Sequence, residues 1–332
     1  MSLLKKALSR LKDYFTREIL KNQKQILKNQ DELKSYLNLS IYLIGCQSEI
    51  QNNNSILRIQ DKVKLIIEFS RIHNMEIKVD FSDEAYQKAS TVFGLLTPMD
   101  VSGKTKIRLG DNGDGGYVTI EPEFKNNNDG IAYSFGISTS DPWSMEMVKK
   151  GYEVFQYDGT IESSPDNHPM IHFFKFMITG SLDTNPNEKN IQQILKDHAH
   201  YGKNIMLNID IEGAEWDFFD SITKEEILQF EQIIVEFHSF SLNDNELQKK
   251  VNILKKINET HQCIHLHANN CGPVIVLRAL HLLPTVMEAS YIRKDPNYEF
   301  IKCHDEFPGN LDCPNAPFLP DIYLDFFNVG KK

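Results

Sequence analysis

The chain has 332 residues, with a hydrophobic fraction of 41% and a charged fraction of 25%, which are typical of a soluble globular protein. Its net charge of −10 argues against a general nucleic-acid-binding protein. Five cysteines without the dense spacing of a disulfide scaffold indicate reduced thiols and therefore a cytoplasmic protein. No apolar run approaches the roughly 18–20 residues that span a bilayer, and the N-terminus does not resemble a signal peptide.

The beginning of the chain differs in charge from the remainder. Residues 1–37 contain nine Lys or Arg and four Asp or Glu, so a basic segment precedes an acidic one. Apolar residues at helical spacing predict a long amphipathic helix over 3–37. The sequence Ile-Leu-Lys-Asn-Gln occurs at 19–23 and again at 26–30, a seven-residue repeat that is typical of a coiled coil.

Three interpretations of this helix remain open. It packs on the chain's own domain, it joins copies of the chain into a homo-oligomer, or it lies on the anionic inner face of a membrane through its basic residues. We predict a helical N-terminal extension over 1–75 and a catalytic domain over 76–332.

The next segments predict further helices and a hairpin. Apolar spacing predicts helices over 59–73 and 83–95. Alternating residues at Ile107–Leu109 and Tyr117–Ile120 flank the glycine-rich segment 110–116, which is typical of a hairpin.

From residue 131 onward, strand-like and helix-like segments alternate. The predicted strands are 131–135, 152–157, 171–177, 204–211, 232–237, 263–267 and 282–292, and the predicted helices between them are 143–150, 191–200 and 247–260. This alternation predicts an α/β fold, with a doubly wound, mostly parallel, seven-stranded sheet of the Rossmann-like class. Ligands of such sheets bind at the carboxyl ends of the strands, near the point where the strand order reverses.

The segment after the first of these strands is typical of a cofactor-binding turn. Gly136 follows Tyr133-Ser-Phe135, and Asp158 ends the next predicted strand, where a carboxylate can bind ribose hydroxyls. Residues after Gly136 read Ile-Ser-Thr-Ser, without the further glycines that a pyrophosphate requires. The pattern therefore favours S-adenosylmethionine over NAD(P), although Asp158 can also be a plain turn residue.

Two pairs of polar residues follow later strands. Asp210 and Glu212 share one side while the chain stays extended, and Glu236 and His238 repeat this spacing after the next strand. The carboxylates can hold an amine, a hydroxyl or a metal ion, or they can cap a helix. Glu215 is better explained as an acid in the first turn of that helix. His238 is a candidate general base because imidazole titrates near neutral pH.

The segment Cys263–Cys271 contains two histidines, but its spacing matches no common zinc finger. We predict instead that its last residues line the acceptor pocket. We predict no metal ion; if one is present, its ligands are Asp210, Glu236 and His238. The candidate catalytic residues are His238, Asp210 and His267. The candidate substrate-binding residues are Glu212, Glu236, Asn269 and Asn270.

These motifs resemble a known family. Asp114-Gly-Gly-Tyr117, the turn at Gly136, Asp158, Asp210-Ile-Glu-Gly-Ala-Glu215 and Glu236-Phe-His238 are similar to the FkbM-type and methyltransferase-like-24-type group of class I, S-adenosylmethionine-dependent methyltransferases. The resemblance covers about 105–290. It implies O-methylation, often of sugars or polyketide-like compounds. The implied cofactor-binding residues are Phe135, Gly136, Ser138, Thr139, Asp141, Asp158 and Asp210.

The sequence thus predicts an S-adenosylmethionine-dependent O-methyltransferase that acts on a sugar, sugar-nucleotide or glycan, with His238 as base. The amino-acid composition, which is rich in Lys, Asn and Ile, suggests a bacterial protein. A capsule or lipooligosaccharide precursor fits as the acceptor of such a protein. The alternatives are an NAD(P)-dependent oxidoreductase, a divalent-metal-dependent O-methyltransferase of a small natural product, and a non-catalytic interaction protein.

Overall fold

The computed structural model describes residues 78–124, 130–183, 185–278 and 281–328. The helices that we predict over 3–37 and 59–73 lie outside these residues. The role of the N-terminal extension therefore stays a prediction. Within the described residues, no helix combines the length and the apolar character needed to cross a membrane.

The described elements alternate between strands and helices. The strands are β1 (Lys78–Asp80), β2 (Met99–Val101), β3 (Lys106–Gly110), β4 (Gly116–Ile120), β5 (Gly130–Phe135), β6 (Tyr152–Tyr157), β7 (Ile171–Phe174), β8 (Met177–Ile178), β9 (Glu188–Lys189), β10 (Ile205–Ile209), β11 (Phe230–Phe237), β12 (His261–Ala268), β13 (Val274–Leu277), β14 (Leu282–Pro284), β15 (Met287–Arg293) and β16 (Phe300–Lys302). The helices are α1 (Asp83–Leu95), α2 (Pro142–Lys149), α3 (Ile191–Asp197), α4 (Glu215–Ser221), α5 (Lys224–Ile227) and α6 (Asp244–Thr260), and a 3-10 turn covers Asp325–Asn328.

Seven strands form one large sheet, in the order β12-β15-β11-β10-β5-β6-β7. Six of them are parallel, and β15 lies antiparallel between β11 and β12. The predicted α/β class and mostly parallel seven-stranded sheet are therefore confirmed, and the sheet is consistent with a methyltransferase fold.

Local sequence signals explain where the helices begin. Ser82 caps α1 by accepting a hydrogen bond from the amide of Ala85, and Asn190 with Gln193 forms a capping box at the start of α3. Thr223 starts α5 in the same way. These caps satisfy amide groups that have no partner inside a helix.

The sheet separates two apolar cores because successive side chains of a strand point to opposite faces. On β5, Tyr133 and Phe135 belong to the larger core, whereas Ala132 belongs to the smaller one. Helices α1 and α3–α6 contribute to the larger core, and α2 with the β3–β4 hairpin covers the smaller one. The hairpin that we predict around 110–116 is therefore present and lies over one face of the sheet.

Two predicted strands are shorter than expected. The strand predicted over 171–177 leaves the large sheet after Phe174, and Met177 then pairs with Glu188 in a separate two-stranded ribbon. The strand predicted over 282–292 is divided, because Leu282–Pro284 pairs with β13 and only Met287–Arg293 joins the large sheet. Apolar runs show that a segment is buried, but they do not identify its neighbour.

Candidate functional site

The strand order reverses between β5 and β10, so the loops that follow these strands form the switch point of the sheet. A Cβ added to Gly136 would lie 1.7 Å from the carbonyl oxygen of Asp210, so only glycine allows this close approach. Asp158 and His238 follow the two flanking strands at the same edge. Three strand spacings separate β6 from β11, which corresponds to about 14 Å.

Three residues without the freedom of glycine adopt positive φ angles in these loops. Ser138 has φ 49°, Glu212 has φ 55° and Ser239 has φ 59°. They follow β5, β10 and β11 respectively, and these strands are neighbours in the sheet. Such conformations are costly and concentrate at functional sites, so they support a site at this edge.

Asp158 holds the glycine turn in place. Its Oδ2 accepts hydrogen bonds from the amides of Ile137 and Ser138, each at 3.0 Å, and its Oδ1 accepts the amide and hydroxyl of Thr160. Burial alone would raise the pKa of this carboxyl, but these hydrogen bonds outweigh it and lower the pKa. All four acceptor positions are engaged, so Asp158 orders the turn in this conformation.

The other residues of the predicted cofactor turn have different environments. Asp141 is buried and caps α2 through the amide of Ser144, and it also accepts a hydrogen bond from Gln156. Ser138 and Thr139 are exposed, whereas Phe135 is fully buried in the larger core. The exposed part of the turn is therefore limited to the residues directly after Ile137.

His238 lies among four carboxylates. Its Nδ1 is 3.2 Å from Oε1 of Glu215 and 3.2 Å from the carbonyl oxygen of Glu236. Two acceptors on one side require a proton on Nδ1, so Nε2 is the nitrogen that can accept a proton when the ring is neutral. Nε2 faces Asp210 at 3.9 Å, Glu236 at 3.6 Å and Glu212 at 3.5 Å.

Glu215 connects the acidic turn to His238. It is completely buried at the start of α4, and its carboxylate accepts the amides of Ile211 and Gly213 as well as Nδ1 of His238. Burial alone would lower the pKa of His238, but the hydrogen bond and the charge of Glu215, with Asp210 and Glu212, raise it. Our prediction of a first-turn acid holds for Glu215, but its contact with His238 was not foreseen.

Asp210 and Glu236 each keep one oxygen without a hydrogen-bond partner. These atoms are Oδ1 of Asp210 and Oε2 of Glu236, and both are inaccessible to solvent. Burial, together with the other carboxylates, raises the pKa of both groups despite the opposing effect of His238 on Asp210 and of Asn269 on Glu236. The alternative that Asp210 caps a helix is not supported, because α4 begins after Ala214 without a side-chain cap.

His267, Asn269 and Asn270 lie at the end of β12 but differ in role. His267 lies between Glu288 and Asp321, with Nδ1 3.0 Å from the first and Nε2 3.1 Å from the second. Burial would lower its pKa, but these carboxylates raise it well above the usual value, so this ring is held as a cation. Such a ring is poorly suited to accept a proton from a substrate.

Of the two asparagines, Asn269 belongs to the site and Asn270 does not contact it. Asn269 donates to Oε1 of Glu236 at 2.8 Å. Asn270 is buried and binds main-chain groups of the C-terminal segment, including the carbonyl and amide of Ala316. The structure therefore brings together Asp210, Glu212, Glu236, His238 and Asn269.

Residues from outside the strand ends complete the site. Arg108 binds the carbonyl groups of Asp111 and Gly113, both at 2.7 Å, and so fixes the hairpin turn that carries Asp114. Asn315 of the C-terminal segment donates to Asp114 and to Glu288. The glycines of 110–116 signalled a special turn, but no sequence signal pointed to Asn315.

Two groups of described residues have the spacing of metal ligands. In one, formed by Asp100, Cys303 and Asp305, the ammonium group of Lys106 already occupies the centre. The other is Asp210, Glu215 and His238, which contains Glu215 where we had predicted Glu236. The oxygens of Glu215 already accept backbone amides, so a metal ion would have to displace hydrogen bonds that shape the turn.

Two comparisons with known proteins concern the family of the chain. No curated protein matches the chain. A family model described as a methyltransferase domain matches residues 45–270, more than half of the chain. The match begins upstream of the boundary that we predict at residue 75, and that boundary stays a prediction. The resemblance to class I methyltransferases is confirmed at this level, and the chain belongs to this methyltransferase-domain family.

Proposed function

We propose that the protein is an S-adenosylmethionine-dependent O-methyltransferase whose acceptor is a sugar hydroxyl and whose general base is His238. The observation that carries the proposal is the fixed orientation of this imidazole. Glu215 and the carbonyl of Glu236 hold Nδ1, and Nε2 faces carboxylates that follow or end β10 and β11. The methyltransferase family membership supports methyl transfer over the NAD(P)-dependent alternative.

The residues at the switch point fit an adenosine-type methyl donor. Gly136 allows a close approach of the two loops, the following residues Ser138 and Thr139 are exposed, and Asp210 has a buried oxygen without a donor. Asp158 would act by ordering the turn, because its oxygens are already engaged. When bound, the donor supplies an electrophilic methyl group on a sulfonium, which is a good leaving group.

The chain's own residues would position the acceptor and remove its proton. A sugar hydroxyl is a weak nucleophile at neutral pH, and a positioned base typically contributes about 10²–10⁴-fold. Nε2 of His238 would take this proton as the oxygen attacks, and the negative charge of Glu215 would stabilise the imidazolium. Holding the oxygen in line with the methyl group can contribute roughly a further 7–11 kcal/mol.

The acceptor class rests on oxygens of buried side chains that have no hydrogen-bond donor. Oxygens without donors at Asp210, Glu236 and Asn315 suit a ligand that carries several hydrogen-bond donors, as a polyol does. A nucleotide-linked or glycan-linked sugar of a surface polysaccharide, such as a capsule or lipooligosaccharide precursor, remains our expectation. The cytoplasmic location at the inner face of a membrane and the oligomeric state also remain expectations.

Calorimetry and turnover together test this function. Titration with S-adenosylmethionine and separately with NAD should give binding for the first only. Transfer of a labelled methyl group to a panel of sugars should then yield an alkali-stable ether. Binding of NAD with no binding of S-adenosylmethionine would overturn the proposal. A rate that is lost in EDTA and restored by Mg²⁺ would favour the metal-dependent alternative instead.

A further inference from the structure

A row of ionisable side chains crosses the large sheet beside the proposed base. Glu236 on β11 is directly opposite Glu288 on the antiparallel strand β15, and Glu288 is in turn directly opposite His267 on β12. Residues that are directly opposite share one face of a sheet, and like charges in that position repel each other. The carboxylates of Glu236 and Glu288 can therefore both be charged only if nearby cations or hydrogen-bond donors offset their repulsion.

Glu288 has more hydrogen-bond and charge partners than Glu236. Glu288 has His267 at 3.0 Å on one oxygen and the amide of Asn315 at 2.7 Å on the other. Glu236 has the neutral amide of Asn269 on Oε1, and Nε2 of His238 lies 3.6 Å from the same oxygen but carries no proton when this ring acts as the base. Its Oε2 has no partner, although the side chain is only 4% exposed. A buried carboxylate oxygen without a partner is costly unless a ligand completes it.

The surroundings of Glu236 contain unpartnered acceptors, and the phenol of Tyr117, whose pKa burial raises, is close enough for the carboxylates of Glu236 and Asp210 to raise that pKa further. Oδ1 of Asp210 and Oδ1 of Asn315 are likewise buried without a donor. Within the described part of the chain, the ion pairs of Asp210, Glu236 and Glu288 are all with histidines and none is with Lys or Arg. The site thus presents several acceptor oxygens, and its carboxyl groups, whose pKa values burial and mutual repulsion raise, would ionise most readily beside a cation.

We propose that this group of carboxylates binds a protonated amine of the acceptor, so that the substrate is an amino sugar whose ammonium group pairs with Glu236. This inference rests on the proposed function and narrows its substrate class. An ammonium group brings three donors and one positive charge, which suits the unpartnered oxygens of Glu236 and Asp210, whose carboxylates both lie beside Nε2 of His238. A neutral hydroxyl brings one donor and leaves the charge uncompensated.

Matched acceptors test the proposal. D-glucosamine, N-acetyl-D-glucosamine and D-glucose share most ring hydroxyls, and only the first carries an ammonium group; galactose and mannose sets extend the panel to other stereochemistry. We expect kcat/KM for at least one amino sugar to exceed that of its N-acetyl and neutral counterparts by about 10- to 100-fold, as for a charged hydrogen bond. In Glu236→Gln this ratio should fall towards one, mainly through KM.

The control is Glu231→Gln, which removes a carboxylate from the opposite end of the same strand. It should keep the wild-type ratio. Melting temperatures of both variants show whether they fold, and because the ratio compares two acceptors on the same variant, it does not depend on changes at His238. Calorimetry should show that Glu236→Gln keeps its affinity for S-adenosylmethionine.

The outcomes separate this inference from the proposed function. Equal or better methylation of neutral or N-acetylated sugars keeps the function and overturns the amine site. No methylation of any sugar, with S-adenosylmethionine still bound, overturns both. A large loss of S-adenosylmethionine affinity in Glu236→Gln assigns the carboxylate to the cofactor and overturns the amine site. If the rate is lost in EDTA and restored by Mg²⁺, a metal ion and not an amine pairs with these carboxylates, and the amine site is overturned.

Discussion

Replacement of Glu215 by Gln tests whether this buried carboxylate positions the proposed base. Glutamine keeps the size of the side chain but removes its charge and one of its two acceptor oxygens. The remaining oxygen cannot serve Ile211, Gly213 and His238 as the carboxylate does. A hydrogen bond to a charged group contributes about 1.5–3 kcal/mol, so losing the one to Nδ1 should lower kcat by about 10- to 150-fold. KM should change little.

The pH dependence gives a second readout that a purely structural role would not change. Glu215 raises the pKa of His238, so the base form is populated only as the pH rises above this pKa. Removing the charge lowers that pKa, and the acidic limb of the kcat profile should move to lower pH although the plateau falls. Because Asp210 interacts with the same ring, the midpoint of the acidic limb reflects the coupled titration of Asp210 and His238, and not of His238 alone.

Asp217→Asn is the matched control. This carboxylate lies on the same helix, is 69% exposed and pairs with Lys249 at 2.6 Å, an interaction of the kind that contributes about 0–1 kcal/mol. It should leave both kcat and the acidic limb unchanged. If Glu215→Gln folds with a normal melting transition and retains the wild-type kcat and pH profile, then Glu215 does not position the base.

Three further predictions concern other residues of the site. His238→Ala should lower kcat by about 10²–10⁴-fold without weakening S-adenosylmethionine binding, as measured by turnover and calorimetry, and near-normal turnover would exclude this base. Asp158→Asn should weaken S-adenosylmethionine binding by about tenfold, because a neutral amide holds fewer amides of the glycine turn; unchanged affinity in calorimetry would contradict this. His267→Gln should cost about 3–5 kcal/mol in denaturant unfolding, because it leaves Glu288 and Asp321 unpaired. Because the pKa of His267 is raised in the folded state, the stabilisation from its charge is complete below about pH 6.5 and is lost as the pH rises through the folded-state pKa. The difference in unfolding free energy between the wild type and His267→Gln should therefore shrink as the pH rises, and a difference that grows with pH would refute this assignment.

The sequence predicted the architecture because the patterns behind it are local. The alternation of strands and helices from residue 131 onward, and the polar residues at the strand ends, depend on periodicities within single elements. Since parallel strands place their carboxyl ends at one edge, Gly136, Asp158, Asp210 and His238 could be assigned to a common edge before any coordinates were known. The family match over 45–270 agrees with the predicted fold.

The order of the strands decided which of these residues touch. β15 enters the sheet antiparallel between β11 and β12, and this places Glu288 beside both Glu236 and His267. The pairing makes His267 part of an ion-paired network, a result that spacing along β12 could not indicate. In the same way, the tertiary structure fills the acceptor positions of Asp158 with its own turn.

Contacts between distant segments supplied the remaining features. Asn315 reaches Asp114 across 201 positions of sequence and Glu288 across 27, and Glu215 reaches His238 across 23. No periodicity links such residues, because each contact depends on where a loop returns after the sheet has formed. The chain by itself therefore determined the sheet and the edge at which we place the site. Only the folded structure determined which carboxylate orients the imidazole and which one is left without a partner.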